Sequence, residues 1–436
     1  MNIKADLTYI SVALDIPKGP FVYGVEHEYQ AACVPGVRVR VPFRDTTMIG
    51  IVTEQGACPP QKGLKKIESV LDAEPVMSAT MLALTRWMAE YYYCSWGEAI
   101  ANALPALLRR GRPIKTDISL PTLPDVVLKH TLTPDQRDVF TKVEEAIISV
   151  RESAFLLQGV TGSGKTEVYL HLIRRTLMQQ RTVIVIVPEI ALTVHLMNYF
   201  NSYFGEALEV LHSKMTDAER FNAWCRIKSG HKRVVLGARS ALFSPLDDIG
   251  LIIIDEEHEN SLKQNDTPRY HARTVAEELA KLSKAVLLMG TATPSLEARY
   301  ACEEGRYVLL KLNSRIVNNV MPKVDVIDLR NEMSRGGNLL ISRPLRIAIE
   351  QTLVKKESII LFLNRRGYAT FVVCMDCGEV VMCKSCKVSL TYHAAAGKLV
   401  CHYCNYRIDP IDTCPACKSK NVKFGGMGTE KIQFHV

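Results

Sequence analysis

The sequence predicts an α/β protein. A doubly wound parallel sheet stands behind a small β-rich unit and ahead of a second, incomplete α/β unit that carries a cysteine module. Three observations predict this. Short, continuous apolar runs at Phe155–Gln158, Val183–Val187, Val234–Leu236, Leu251–Ile254 and Val286–Met289 alternate with helical stretches such as Glu167–Gln180, as strands covered on both faces require. Ahead of them lie short β-rich runs punctuated by Gly and Pro. Behind them, eight cysteines fall in four C-x-x-C pairs between Cys374 and Cys417.

Residues 1–110 form the first unit. Val37, Val39 and Val41 alternate with Arg38 and Arg40, which predicts a strand with one buried face and one wet, basic face. Ile49-Gly50-Ile51-Val52 reads as another strand. From Ser78 to Ala103 the pattern turns helical and stops at Leu104-Pro105. Residues 111–130 read as a linker broken by Pro113, Pro121 and Pro124; Arg109, Arg110, Arg112 and Lys115 read as solvated charge beside it. Thr133-Pro134 opens the next helix, with Thr133 as N-cap and Pro134 in the first turn. The main sheet is expected over 131–315. The second α/β unit begins over 316–373 with a strand at Ile359–Leu363, the cysteine module covers 374–417, and 418–436 returns into that unit.

The chain has 436 residues, a formal net charge of +8 and 47% hydrophobic residues, with a pI of about 8.8. That is the composition of an ordinary globular protein with a mild lean toward polyanions. The start, through Pro17, has neither a long apolar core nor a small-residue cleavage site. No run approaches the ~18 apolar residues of a membrane span. The expected location is therefore cytoplasmic, with no membrane partner. In a reducing cytosol, paired cysteines point to metal rather than disulfides. The scattered Cys33, Cys58, Cys94, Cys225 and Cys302 read as small buried hydrophobes.

Gly159-Val160-Thr161-Gly162-Ser163-Gly164-Lys165-Thr166 fits G-x-x-x-x-G-K-[ST] and lies between a predicted strand and a predicted helix. Glycines let backbone N–H groups wrap phosphate oxygens, and the helix start adds its positive end. Lys165 is expected on the β and γ phosphates of ATP and Thr166 on Mg²⁺. Leu251–Ile254 runs straight into Asp255-Glu256-Glu257-His258, which puts carboxylates at the carboxyl end of a buried parallel strand, where such sheets bind ligands. Asp255 is expected to hold Mg²⁺ and Glu256 to orient and deprotonate the attacking water.

D-E-x-H after a phosphate loop marks the superfamily 2 helicases and translocases. Pro188-Glu189-Ile190-Ala191-Leu192-Thr193, Gly237-Ala238-Arg239-Ser240 and Gly290-Thr291-Ala292-Thr293-Pro294-Ser295 follow in that class's order. Gln136 stands where the class places a glutamine that contacts adenine. The phosphate loop continued through Glu167-Val168-Tyr169, the Asp255–His258 block, Arg269-Tyr270-His271-Ala272-Arg273, Leu361-Phe362-Leu363-Asn364-Arg365-Arg366-Gly367, and the cysteines followed by Gly428-Thr429-Glu430 together closely resemble the PriA family of bacterial primosomal proteins. The resemblance covers nearly the whole chain.

It implies a RecA-like motor lobe and an ATP-driven 3′ to 5′ DNA helicase. Such a protein recognises branched and single-stranded DNA, binds single-strand DNA-binding protein and, with other primosome proteins, begins replication restart. It also implies a 3′-end DNA-binding unit over 1–110, with Phe21 and Tyr23 near a terminal base or in the core. Arg239, Tyr270 and Arg273 are the further DNA-contact candidates. This chain departs from the family pattern in four places. Pro268 stands where the family's aromatic-rich loop, here around Tyr270, usually has a tryptophan. Val22 stands where the family's pocket often has an acidic residue. Arg110 to Thr131 is too short for the family's winged helix. The family's Q-x-x-G-R-x-G-R segment is not present before Val436. The alternative expectation is a nucleotide-, zinc- and DNA-binding remnant without unwinding activity.

Each C-x-x-C presents two thiolates on one tight knuckle, and two knuckles complete a tetrahedral zinc site. A hairpin through Leu390-Thr391-Tyr392 and Lys398-Leu399-Val400 favours Cys383, Cys386, Cys401 and Cys404 on one Zn²⁺. Cys374, Cys377, Cys414 and Cys417 are then left for a second, and the family's nested arrangement agrees. Iron–sulfur ligation is the rival reading.

Overall fold

The computed structural model describes residues 8–57, 64–114, 126, 128–189, 191–316, 323–328, 341–362, 371–393, 397–401 and 404–425. The chain divides into two compact units, Met1–Asn319 and Val320–Val436.

The first unit opens with an antiparallel sheet of β1 (Thr8–Leu14), β2 (Phe21–Val25), β3 (Arg38–Phe43), β4 (Thr46–Gln55) and β5 (Ser69–Val70), in the order β2-β1-β4-β3-β5. Val37, Val39 and Val41 are fully buried, as their alternation predicts. Arg38 is not on a wet face. It is fully buried, its Nη2 and Nε donate to the Asp72 carboxylate at 2.6 and 2.9 Å, and its Nη1 donates to the carbonyls of Leu108 and Arg112 at 2.8 and 2.9 Å. The period assigned Arg38 to the outer face; the following helices cover that face, and a buried guanidinium must be paired.

Three helices follow: α1 (Ala79–Tyr91), α2 (Trp96–Ala103) and α3 (Ala106–Arg109). Ser78 caps α1, and Ser95 closes a capping box with Glu98 on α2, so the single predicted helical stretch is two helices broken at Tyr92–Ser95. Gly97 is required by close approach: a Cβ there would meet the Leu14 carbonyl oxygen at 1.6 Å.

The main sheet comprises β6 (Ser153–Gly159), β7 (Thr182–Ile186), β8 (Leu208–Leu211), β9 (Val234–Gly237), β10 (Ile249–Asp255), β11 (Val286–Thr291) and β12 (Val308–Leu312), ordered β12-β6-β11-β10-β7-β9-β8 and parallel throughout. The five predicted strands form its centre. Its rim strands β8 and β12 carry exposed or half-buried residues and lack the continuous apolar signal.

Side chains alternate across the strands. Ile252 and Ile254 of β10 join one core, and Leu251 and Ile253 join the other. The second core is covered by α4 (Pro134–Ile148), α5 (Lys165–Met178) and α6 (Val194–Phe204). The first is covered by α7 (Asp217–Lys228), α8 (Ala272–Ser283) and α9 (Leu296–Glu303), and it runs on without a break into Leu84, Met88 and Ile100 of the amino-terminal helices.

The second unit contains α10 (Arg343–Val354), capped by Ser342, and a sheet of β13 (Phe371–Cys374), β14 (Thr391–His393), β15 (Lys398–Val400), β16 (Arg407–Ile408) and β17 (Val422–Gly425), ordered β16-β15-β14-β13-β17. The strand expected at Ile359–Leu363 is not formed over the described residues 359–362. Ile360 and Phe362 are largely exposed there, and an apolar run without a partner strand does not make a sheet. Ile190, Leu363 to Gly367 and Gly428-Thr429-Glu430 lie outside the described residues.

Candidate functional site

The phosphate loop hangs between β6 and α5, at the carboxyl edge of the sheet. Gly162 and Gly164 take φ of +81° and +77°, and Gly164 is the N-cap of α5. Those angles favour glycine and let the chain curl onto the helix start. The curl is braced from three sides. The Lys165 Nζ donates to the Gly159 carbonyl at 2.9 Å, the Gln136 Nε2 to the Ser163 carbonyl at 3.0 Å, and the Ile316 N–H to the Gly162 carbonyl at 3.1 Å. Ser163 is buried, and its hydroxyl has no protein partner, as an oxygen that turns to a bound phosphate would be. Val160 and Thr161 are exposed, and Thr166 is half-buried at the second position of α5.

Gln136 is nearly fully buried. Its Oε1 accepts from the Thr133 N–H at 2.9 Å in a capping box, while its Nε2 holds the loop. Both ends of its amide thus serve the protein, each with one donor or lone pair to spare.

Asp255 ends β10, one strand from β6, with Gly290 of β11 in register between them. Burial pushes the Asp255 carboxyl above the usual range, and the Glu256 charge adds to this; the Tyr169 hydroxyl and the Lys165 charge pull it back. The Tyr169 hydroxyl donates to Asp255 Oδ1 at 2.9 Å. A half-buried carboxylate at the strand end, under the influence of the phosphate-loop lysine, is a fitting place for a hydrated divalent cation.

Glu256 follows at φ +48°, a conformation that costs a non-glycine residue about 1 kcal/mol. Its neighbours hold the turn. The Glu257 N–H donates to the Gly290 carbonyl at 3.1 Å. The fully buried Glu257 carboxylate accepts from Arg273 Nη1 and from both the hydroxyl and the N–H of Ser295. His258 Nδ1 lies 2.7 Å from the Thr291 hydroxyl and 3.6 Å from the Glu256 carboxylate. The acidic block and the Gly290–Ser295 segment are therefore one bonded assembly.

Several DNA-contact candidates sit elsewhere than on a free surface. Tyr270 is fully buried, edge-on to Phe243 at 5.4 Å, because the 3₁₀ turn Arg239–Phe243 closes over it. Arg273 has its guanidinium on Glu257 and Ser295. Arg239 is half-buried and donates to the Ser261 carbonyl at 2.8 Å. Tyr23 is in the core, with its hydroxyl on the Pro42 carbonyl at 3.4 Å. Phe21 stays half-buried, against Phe43 at 5.3 Å. The periodic and motif signals found these residues; what covers each is a long-range matter. Three residues with a part in the site, Tyr169, Glu257 and Ser295, had no role assigned from the sequence. The one signal for Tyr169 was its place one turn beyond Lys165 on the same helix face.

In the second unit the cysteines meet in two groups, Cys374, Cys377, Cys414 and Cys417, and Cys383, Cys386, Cys401 and Cys404, with the sulfurs of each group all within 4.8 Å of one another. The Cys374–Cys417, Cys377–Cys414 and Cys383–Cys404 sulfurs are 3.5, 3.6 and 3.6 Å apart. Four thiolates ~2.3 Å from a zinc ion stand about 3.8 Å apart, so each group fits the ion. Backbone N–H groups of the Cys377 and Cys386 knuckles pull the Cys374 and Cys383 thiols down, while the neighbouring thiols push those of Cys377 and Cys386 up. Asp376 ties the outer knuckles together by accepting from the Ser419 hydroxyl and from Asn421 Nδ2.

Among the described residues no helix is long and apolar enough to cross a membrane. Residues 11–105 match the family model for the PriA 3′ DNA-binding domain. Residues 129–296 match that for the res subunit of type III restriction enzymes, and 383–408 that for the Cys-rich region of the PriA DNA helicase. The replication restart protein PriA of Bacillus subtilis (strain 168) is 43% identical over 302 residues, which is 69% of this chain and 38% of that protein. The PriA protein of Treponema pallidum (strain Nichols) is 36% identical over 434 residues, 98% of this chain and 64% of that protein. The chain thus spans less than two thirds of the length of either relative. The helicase domain of Pyrococcus furiosus Hef overlaps 50% of this chain and 53% of its own, at 18% identity and a TM-score of 0.33. An amino-terminal DNA-binding module, a phosphate-loop sheet and a nested cysteine module, in that order and matched along 98% of the chain, make this chain a member of the PriA family of replication restart proteins.

Proposed function

We propose that this chain carries the amino-terminal DNA-binding module, the first motor lobe and the zinc module of an ATP-dependent 3′ to 5′ DNA helicase that acts on stalled or branched replication forks. The module would cover 1–110, the first lobe 131–315, the start of a second lobe 316–373 and the zinc insertion 374–417. One observation carries the reading: α5 opens with Lys165 on the phosphate loop and, one turn on, bonds Asp255 at the carboxyl end of β10 through the Tyr169 hydroxyl at 2.9 Å, which sets the lysine and the acid on one edge of the sheet, as phosphoryl transfer needs.

In this reading the backbone amides of Gly159–Thr166 cradle the phosphates of ATP, and Lys165 meets the β and γ groups. Thr166 and Asp255 would hold Mg²⁺. The ion, when bound, spreads the charge of the transferring phosphoryl group. Glu256 orients the attacking water and takes its proton. Each cysteine group holds one Zn²⁺ in a structural part, since all four positions are filled by protein. Branched and single-stranded DNA is the partner class. Single-strand DNA-binding protein and other primosome proteins belong to the same reading.

The test is titration of a fluorescent ATP analogue with Mg²⁺ present, alongside DNA-stimulated phosphate release. Lys165→Ala is expected to weaken nucleotide uptake at least tenfold, as loss of a phosphate-binding cation does. Equal uptake by this variant and the parent chain would remove the basis of the reading.

A further inference from the structure

We propose that Tyr169 is a positioning residue for the ATP site: its hydroxyl aims the Asp255 carboxylate at the cation that accompanies the nucleotide. The inference deepens the nucleotide-site reading above and rests on it.

Lys165 and Tyr169 are one turn apart on α5 and therefore share a face. The helix that presents its first residue to the phosphates presents its fifth to the acidic strand end. Tyr169 is almost fully buried, and a buried phenol needs a partner. The Asp255 Oδ1 is that partner, at 2.9 Å. The Tyr169 hydroxyl on Oδ1 and the Glu256 backbone N–H together hold the carboxylate from the protein side.

The space for the hydroxyl is built into the neighbouring strand. Gly290 pairs with Asp255 in the β10–β11 register, and a Cβ on Gly290 would lie 1.6 Å from the Tyr169 hydroxyl oxygen and 3.4 Å from Asp255 Oδ1. Residue 290 must lack a side chain if the phenol is to reach the carboxylate. Gly290 also accepts from the Glu257 N–H through its carbonyl. Tyr169 therefore touches, at one point, the helix of the phosphate loop, the metal-facing acid and the segment bonded to Glu257. A packing residue there would need the ring but not the hydroxyl, and would give no reason for a glycine at 290.

The experiment measures binding of a fluorescent ATP analogue to the intact chain with Mg²⁺ and with EDTA. The parent chain is expected to bind more tightly with Mg²⁺. Tyr169→Phe keeps the ring; it is expected to keep the EDTA affinity and to raise the half-saturating Mg²⁺ concentration about tenfold, the scale of one hydrogen bond to a charged acceptor. Gly290→Ala, which displaces the hydroxyl from the other side, is expected to move the same quantity in the same direction. Asp255→Asn is expected to remove the Mg²⁺ dependence. A Tyr169→Phe chain with parental Mg²⁺ dependence would overturn the assignment of Tyr169 and leave the nucleotide site standing. Tight binding by Asp255→Asn with full Mg²⁺ dependence would overturn both, as would no nucleotide uptake by the parent chain. A matching loss of affinity in Mg²⁺ and in EDTA for Tyr169→Phe and Gly290→Ala would show a packing role only, and would also overturn the proposal.

Discussion

Arg38 shows how much one buried side chain can hold. Its guanidinium joins the amino-terminal sheet, Asp72, the Leu108 carbonyl of α3 and the Arg112 carbonyl just after it. A buried pair is no net gain over a well-packed apolar one, but breaking it strands the partner charge. Arg38→Ala is therefore expected to destabilise the chain by about 3–5 kcal/mol, read as a shift of the urea midpoint. Arg38→Met with Asp72→Asn is expected to recover part of the loss. A single variant as stable as the parent would show that Asp72 finds other compensation. The strand period was legible at this residue; its partner was not, because Asp72, Leu108 and Arg112 are distant in sequence. The same holds for Tyr23, Tyr270 and Arg273, whose residue types fit nucleic acid but whose surroundings are protein.

At the level of elements, caps and knuckles were the most legible features, since they depend on residues a few positions apart. Thr133 with Gln136 forms the capping box of α4, and the hairpin of β14 and β15 lies between the inner cysteine pairs. The cysteine module has a small apolar core: Val372, Val381, Leu390 and Leu399 with the buried Cys383 and Cys401. So few apolar side chains do not fold a domain without a staple, and metal binding then becomes folding free energy. Two zinc ions per chain are expected by elemental analysis of protein purified without chelator, and one for Cys374→Ser. Strong chelation is expected to melt the β-structure of residues 371–425 and leave Met1–Asn319 folded, by limited proteolysis. Fewer than two ions on the parent chain would count against two structural sites. Strands β8 and β12 went unread because their half-buried faces mimic loops.

For the first unit as a whole, the decisive fact is a core that ignores the boundary between the amino-terminal module and the motor lobe. Leu84, Met88 and Ile100 belong to the same cluster as Trp224, Phe243 and Ile254. Contacts at the seam add to it: Gln264 Nε2 donates to Asn102 at 3.0 Å, and the His271 N–H donates to the Tyr92 hydroxyl at 3.2 Å. Residues that share a core share an unfolding transition. Met88→Ala is expected to cost about 2–5 kcal/mol and to lower stability equally by circular dichroism and by the fluorescence of Trp224, the lobe's own tryptophan, with Trp87 and Trp96 changed to Phe. Two separate transitions, with only the earlier one shifted, would show that module and lobe unfold independently.

The sequence by itself determined the alternation of strands and helices, the phosphate loop, the acidic strand end and the nesting of the cysteine pairs. Each is written in a short stretch of chain, where backbone geometry and ligand spacing leave few choices. Only the tertiary structure decided that Arg38 is inside and that Gln136 braces the loop through both ends of its amide. It alone brought the Tyr169 hydroxyl against Asp255 through the space left by Gly290. Periodicity says which way a side chain leaves its strand or helix, but what it meets there is set by elements far away in the chain, and burial then drives most polar atoms to a partner among them.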